Sequence, residues 1–215
     1  MEKRTFCKTF FKNKPAVIGL FGVLLIALSG ILAPFIVPYP TGYGTEILEP
    51  PSAEHWFGTD GLGLDVFAQV VWGARTSLYV SLMAVLVAAV IGIPAGLLSG
   101  YKKGIIGSAI DAVIDIFLTL PVLPLMIVIA AIVGSSINNV AIVIGLFSWP
   151  SLARVTRNST MKISEMQFIE AARCLGIPSR KILFKHILLN IVGPVLVNLT
   201  LVMATAVLSE SSLSF

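Results

Sequence analysis

The 215-residue sequence is 56% hydrophobic and 12% charged, with a mean hydropathy of +0.94. Soluble globular domains carry about 25% charged residues, so this composition excludes an ordinary soluble domain. The formal net charge is +4. The cations are spread along the chain at the ends of apolar runs, so we expect a lipid bilayer and not a nucleic acid as their partner.

Long runs without charged residues predict the membrane-spanning segments. They cover residues 15–45, 76–101, 116–153 and 187–209, and a helix needs about 20 residues to cross a bilayer core. A polar turn at 134–139 divides the third run. The sequence therefore predicts an all-α, polytopic bundle of about five transmembrane helices, near 16–37, 76–100, 106–133, 139–153 and 187–209.

The distribution of Lys and Arg predicts the orientation, because these residues are enriched on the cytoplasmic side. With a cytoplasmic N-terminus, Arg75 is the only one of the 15 basic residues on the outer side. The predicted organisation is a basic cytoplasmic tail (1–14), a first transmembrane helix (15–37), an extracytoplasmic segment (38–75) and a membrane domain (76–215) with a cytoplasmic loop at 154–186. A cleaved signal peptide is the alternative for the first apolar run, but no Ala-x-Ala-like site follows it.

Several candidate sites outside the cytoplasmic loop are weak. Asp111 and Asp115 share a helix face, so they could mark an ion path or an intramembrane catalytic pair, or they could be paired with arginines. His55 and His186 are each isolated from other ligand types at metal-binding spacing, so no metal site is expected. The sequence holds no P-loop, and this chain is not expected to hydrolyse ATP.

The cytoplasmic loop predicts a short amphipathic helix. Ser164 and Gln167 match a capping box that would begin a helix near Glu165. Gly176, which precedes Pro178 by two residues, is a stop signal, after which Ser179 can cap a second helix. Such a helix could lie on the lipid surface or bind a partner protein.

A resemblance to a known protein family favours a partner protein over the lipid surface. Glu170-Ala171-Ala172 followed by Gly176 looks like the EAA loop of the permease subunits of ABC importers. In that family the loop forms a coupling helix that binds the ATPase subunit. The resemblance therefore implies a set of ATPase-coupling residues: Phe168, Glu170, Ala171, Ala172, Arg173 and Gly176.

A second block, before the second predicted span, resembles the dipeptide, oligopeptide and nickel branch of the same family. It runs from His55-Trp-Phe-Gly58 to Gly73-Ala74-Arg75. The signature positions in it are Gly58, Thr59, Asp60, Asp65, Gly73 and Arg75.

The resemblance implies a permease subunit in a prokaryotic inner membrane that forms half of a translocation pathway for di- or oligopeptides. The implied partners are a second homologous permease, one or two ATPase subunits that carry ATP and Mg²⁺, and an extracytoplasmic substrate-binding protein. No cofactor is expected on this chain. Two alternatives remain: a nickel-importer permease of the same branch, and a truncated, non-transporting remnant, since the family continues past Phe215 into a sixth span.

Overall fold

The computed structural model describes residues 10–134 and 136–213, and within these ranges the chain is all-α. The only extended pairing there is an isolated antiparallel bridge between Thr59 and Asp65. The helices are α1 (Lys14–Ile36), α2 (Val66–Tyr101), α3 (Ile105–Thr119), α4 (Val122–Val133), α5 (Ile137–Ser164), α6 (Gln167–Cys174), α7 (Ser179–Lys181), a π-helix (Ile182–Ile187) and α8 (Leu188–Leu213). Residues 1–9 of the predicted basic tail lie outside the described residues.

Four helical stretches are long and apolar enough to cross a membrane: Lys14–Ile36, Val66–Tyr101, Ile137–Ser164 and Ser179–Leu213. A fifth crossing results if α3 and α4, which meet at 87°, count as one broken span. The third predicted span, 106–133, is thus not one continuous helix. Proline disfavours a helical conformation in the residue before it, and Leu120, which precedes Pro121, is extended with ψ 145°.

The chain divides at Tyr79 into two compact units. In the first unit, α1 begins at Asn13, whose side chain caps the helix by accepting a hydrogen bond from the Ala16 N–H. Residues 37–65 form an irregular segment. The predicted outer segment, 38–75, was too long, because residues 66–75 already belong to α2. The Trp72 indole lies 3.2 Å from the carbonyl oxygens of both Val37 and Pro38, so α2 holds the start of this segment.

In the second unit, a stripe of glycines on α2 allows close contact with α5. A Cβ at Gly96 would lie 2.5 Å from the carbonyl oxygen of Ala153, and one at Gly100 would lie 2.6 Å from that of Arg157. Gly92 makes a similar approach to Trp149. Small residues at four-residue spacing are a common basis of helix packing in membranes.

The buried face of α8 packs on α5 in the same unit. The two helices contribute to a core that also contains Leu97 of α2, Ile169 of α6 and Ile182 of the π-helix. The 164–187 segment is therefore anchored to the transmembrane helices by apolar contacts.

Two of the helix boundaries predicted in the 164–187 segment are wrong. The Ser164 hydroxyl donates to the Met161 carbonyl within the last turn of α5, so it closes that helix and caps nothing after it. The next helix begins at Gln167, with Met166 at its N-cap and no side-chain cap. Ser179 is the first residue of α7, and Pro178 occupies the N-cap.

Candidate functional site

Helix α6 carries the predicted coupling residues and has two different faces. Ile169 is 0% exposed and Ala172 is 6% exposed, and both pack in the core with Leu97 and Ile182. Three residues separate Ile169 from Ala172, which places them on one side of the helix. This face fixes α6 to the transmembrane helices.

Arg173 adds a second anchor at the end of α2. Its guanidinium carbon lies 4.8 Å from the centroid of the Tyr101 ring, and its Nε donates to the Tyr101 hydroxyl over 3.4 Å. An arginine over an aromatic face gains about 0.5–1 kcal/mol at an exposed site. Arg173 thus contacts the end of α2 while it remains exposed.

The other face of α6 is open. Phe168 is 44% exposed, Leu175 is 80% exposed, and Glu170 and Ala171 are exposed as well. An apolar face of this kind beside a carboxylate is typical of a protein contact surface. Five of the six predicted coupling residues (Phe168, Glu170, Ala171, Arg173 and Gly176) are therefore exposed, and only Ala172 is buried.

Gly176 ends α6 in a Schellman motif. The Gly176 N–H donates to the Arg173 carbonyl and the Ile177 N–H to the Ala172 carbonyl, with Gly176 at φ +72°. A left-handed residue at this position favours glycine. The prediction that Gly176 ends the helix is confirmed, and the turn directs the chain into α7.

Two ion pairs join α3 to α5 and account for the candidate acid pair. Arg154 pairs with Asp115, and the Arg157 Nε lies 2.9 Å from the Asp111 Oδ1. Each aspartate therefore has its own arginine partner, as the structural alternative for these residues predicted. The geometry gives no support to a catalytic carboxylate pair, because both acids face cations.

The signature residues of the 37–65 segment hold its backbone together. Thr59 is buried, and its hydroxyl accepts from the Glu49 N–H over 2.9 Å and donates to the Glu46 carbonyl over 2.6 Å. Gly58 has φ +74°, and a Cβ there would lie 2.3 Å from the Glu49 carbonyl oxygen. Only glycine satisfies both conditions.

Asp60 accepts from backbone N–H groups just before α2, and Asp65 accepts from one in its first turn. Asp60 accepts from the Leu62 and Leu64 N–H groups and from the Gln69 side chain. The N–H of Leu64, then the Gln69 amide and the N–H of Leu62, outweigh burial and hold the pKa of the Asp60 carboxyl below its usual value. Asp65 accepts from the Ala68 N–H, as an N-cap does.

His55 is not isolated, contrary to the sequence prediction. Its Nδ1 lies 2.8 Å from the Asp65 Oδ2, and its Nε2 lies 3.3 Å from the Glu46 Oε2. The hydrogen bond with Asp65, helped by the charges of both acids, raises the pKa of His55 despite partial desolvation. Burial by itself would raise the pKa of Asp65, but the hydrogen bonds from His55 and from backbone N–H groups lower it overall.

Within residues 10–134 and 136–213, no group of three or more His, Cys, Asp or Glu side chains could hold a metal ion.

The two other signature residues of the block lie on α2. Gly73 is exposed with open space around its Cα, and Arg75 lies 5.6 Å from the centroid of the Trp72 ring. Most signature residues of the block thus stabilise the fold of the 37–65 segment. The contacts of His55 could not be predicted from the sequence, because they form only when that segment folds.

Comparison with known proteins identifies the family to which this chain belongs. Residues 92–215 match the family described as the binding-protein-dependent transport system inner membrane component, and residues 4–51 match the N-terminal transmembrane domain of oligopeptide transport permease C. The dipeptide transport system permease protein of Alkalihalophilus pseudofirmus is 39% identical over 210 residues, which cover 97% of this chain and 69% of the relative.

Two relatives from Bacillus subtilis are similar. Its dipeptide transport system permease protein is 35% identical over 95% of this chain and 64% of its own length. Its oligopeptide transport system permease protein is 33% identical over 96% of this chain and 68% of its own length. The chain spans about two thirds of the length of these relatives. As the EAA resemblance predicted, the chain belongs to the inner membrane components of binding-protein-dependent transport systems, in the branch of the dipeptide and oligopeptide permeases.

Proposed function

We propose that this chain is the permease subunit of an ABC importer and forms half of a translocation pathway for di- or oligopeptides. The relatives named above are described as dipeptide and oligopeptide permeases. Those names support a peptide cargo over nickel, the alternative that the sequence left open. This chain would be the transport subunit, and other subunits would supply the energy.

The two faces of α6 carry this proposal. Ile169 anchors one face of the helix in the transmembrane core, while Phe168 and Leu175 on another face are exposed. Such a helix can transmit force from a partner to the transmembrane helices. The partner would be an ATPase subunit, one or two per complex, that binds ATP and Mg²⁺. This chain has no P-loop and is proposed to bind no cofactor itself.

The charge distribution orients the chain in the prokaryotic inner membrane. With the N-terminus in the cytoplasm, α6 faces the cytoplasm, where the ATPase is, and the 37–65 segment faces the extracytoplasmic binding protein. A second homologous permease completes the pathway. Movement of the ATPase would be passed through α6 to α2 and α8 as a rigid-body shift, because the core that contains Ile169 also contains Leu97 and Val195.

Reversal of the charge at Glu170 tests the proposal. In proteoliposomes that contain the permease pair and the ATPase, supplied with the binding protein and ATP, we expect Glu170→Arg to lower uptake of a radiolabelled dipeptide by at least about tenfold and to release the ATPase during purification. Glu165→Arg is the matched control, since Glu165 is also exposed but lies before α6. Its uptake should stay near that of the wild type.

Three results would count against the proposal. If the wild-type complex takes up no peptide, the cargo or the transport role is wrong. If the wild-type chain purifies without an ATPase, a non-transporting remnant becomes the better description. If Glu165→Arg and Glu170→Arg have equal effects, the exposed face of α6 is not the contact surface.

A further inference from the structure

A polar cleft lies within the second unit between α4, α5 and α8. Its volume is about 310 Å³, at the lower end of the range of roughly 300–1,000 Å³ for ligand pockets. Five polar side chains line it together with apolar residues of the same helices: Ser148, Ser151, Asn198, Thr205 and Ser209. The lining residues, all in the described part of the chain, include no ionisable side chain.

The cleft lies near the middle of α8 and of the predicted fifth span, 187–209. Asn198 follows the first residue of α8 by about 15 Å and precedes the last by about 22 Å, at 1.5 Å per residue. Ser148 has a similar position on α5. Polar side chains at this depth are costly against lipid, so they should face protein or a water-filled path.

Asn198 is the exceptional residue of this lining. The buried residues of α8 are Ile191, Val195, Asn198, Val202 and Ala206, so an amide interrupts an otherwise apolar stripe. Asn198 is 9% exposed, and its Oδ1 is buried without a hydrogen-bond partner among the described residues. Burial of an unpaired amide oxygen is destabilising, and a ligand that donates a hydrogen bond to it in the cleft would offset that cost.

The hydroxyl groups present acceptors to the same space. The Ser148 hydroxyl donates to the Ile144 carbonyl over 2.7 Å. The Thr205 hydroxyl donates to carbonyls of Leu201 and Val202, over 3.1 and 3.0 Å. A hydroxyl whose hydrogen is engaged in this way still offers lone pairs, so the cleft suits a solute with N–H donors.

We propose that this cleft binds the backbone amides of the transported peptide, with Asn198 as its principal polar contact. The inference rests on the proposed peptide-import function and adds the residues that contact the cargo. A primary amide can both donate to and accept from a peptide unit. Transition-metal cations prefer thiolate, imidazole or carboxylate ligands, which this lining lacks.

Thiol labelling tests whether the peptide occupies the cleft. In the complete reconstituted complex, with Cys7 and Cys174 replaced by serine, we expect Thr205→Cys to react with a water-soluble thiol reagent. A dipeptide at ten times its dissociation constant should slow that reaction roughly tenfold. Thr200→Cys is the matched control, because Thr200 is exposed on the same helix and does not line the cleft. At this depth it should face lipid, so the water-soluble reagent should leave it unlabelled with or without peptide.

Uptake kinetics test the polar contacts. We expect Asn198→Leu and Thr205→Val each to raise the KM for dipeptide uptake about five- to tenfold, the effect of one lost hydrogen bond. Thr200→Val should keep the wild-type KM. Thr205→Val and the labelling experiment remain informative if Asn198→Leu does not assemble.

Different failures separate the two proposals. Absence of peptide uptake by the wild-type complex contradicts the proposed function. If the wild type imports peptide but Thr205→Cys is unreactive in every nucleotide state, a neighbouring helix or lipid fills the cleft, and this inference is wrong. It is equally wrong if labelling occurs without protection by peptide, or if both cleft variants import with the wild-type KM.

Discussion

The 37–65 segment and α6 both carry residues that the family resemblance singled out, but those residues have different physical roles. In the 37–65 segment, Gly58 and Thr59 are buried and hold their own backbone. In α6, only the anchoring face is buried, while Phe168 and Glu170 remain exposed. A family signature can therefore record either the needs of a fold or the needs of a contact surface, and side-chain exposure tells the two apart.

Two glycines give the largest expected difference between these regions. Gly58 and Gly176 have nearly the same backbone φ, +74° and +72°. A Cβ at Gly58 would lie 2.3 Å from the Glu49 carbonyl oxygen, whereas a Cβ at Gly176 would have no neighbouring atom within 4 Å. We expect Gly58→Ala to lower the free energy of unfolding by about 3 kcal/mol or more, from strain and overlap together. Gly176→Ala should lower it by about 1–2 kcal/mol, from strain alone.

Denaturant unfolding of the purified protein in detergent would measure both changes. Amide hydrogen exchange would show where each change acts, and we expect the Gly58 variant to lose protection in residues 44–65. Equal losses for the two variants would mean that the close approach to Glu49 does not constrain the segment.

Within α6, the buried and exposed faces should separate stability from coupling. We expect Ile169→Ala to lower the free energy of unfolding by about 2–4 kcal/mol, because Ile169 is fully buried in the core. Leu175→Ala, at 80% exposure, should change it by less than about 0.5 kcal/mol. Unfolding curves of the isolated chain check the first effect, and ATPase co-purification should instead be more sensitive to Leu175→Ala.

Thr59→Val tests the hydrogen bonds of the 37–65 segment without a change in side-chain size. The variant leaves the Glu49 N–H and the Glu46 carbonyl without their partner. We expect a loss of about 1–3 kcal/mol in local stability, measured by hydrogen exchange. Thr76→Val is the control, since the Thr76 hydroxyl makes a single 3.3 Å bond within its own helix, and a comparable loss there would contradict the explanation.

The helical content and the approximate spans could be predicted from the sequence because both follow from local composition. The charge-free runs mark the apolar helices, and Gly176 marks the end of α6 since a left-handed turn favours glycine. The sequence favours a kink at Pro121 but not the 87° break between α3 and α4. Pro121 could have indicated it, but a proline inside an apolar run is compatible with a kinked helix as well as with a full turn.

Contacts between distant residues account for what the sequence could not show. His55 has no acidic neighbour at helical spacing, and only folding brings Glu46 and Asp65 to its ring. Ser164 and Gln167 satisfy a capping pattern, but α5 continues through Ser164 and uses its hydroxyl. Asn198 is one polar residue in an apolar run, and its burial beside a cleft follows from the packing of α8 on α5.

The pH dependence of the 37–65 segment is the smallest expected effect, because the groups involved are partly solvated. The pKa of His55 is raised above its usual 6.5, so its contribution to stability is complete below pH 6.5 and is lost as the pH rises through the raised pKa. The pKa values of Asp60 and Asp65 are lowered from 3.8, so their contributions are present above that pH and are lost as the pH falls through the lowered values.

The segment should therefore be most resistant to limited proteolysis between about pH 4 and pH 6.5. In the wild type, the rate of cleavage within residues 44–65, corrected for protease activity, should rise toward pH 8. His55→Gln should remove this alkaline rise, because glutamine can keep a hydrogen bond to Asp65 but carries no proton that titrates. His186→Gln, a change of the other histidine outside the segment, should leave the rise intact, and an unchanged profile in His55→Gln would show that the Asp65 pairing does not stabilise the segment.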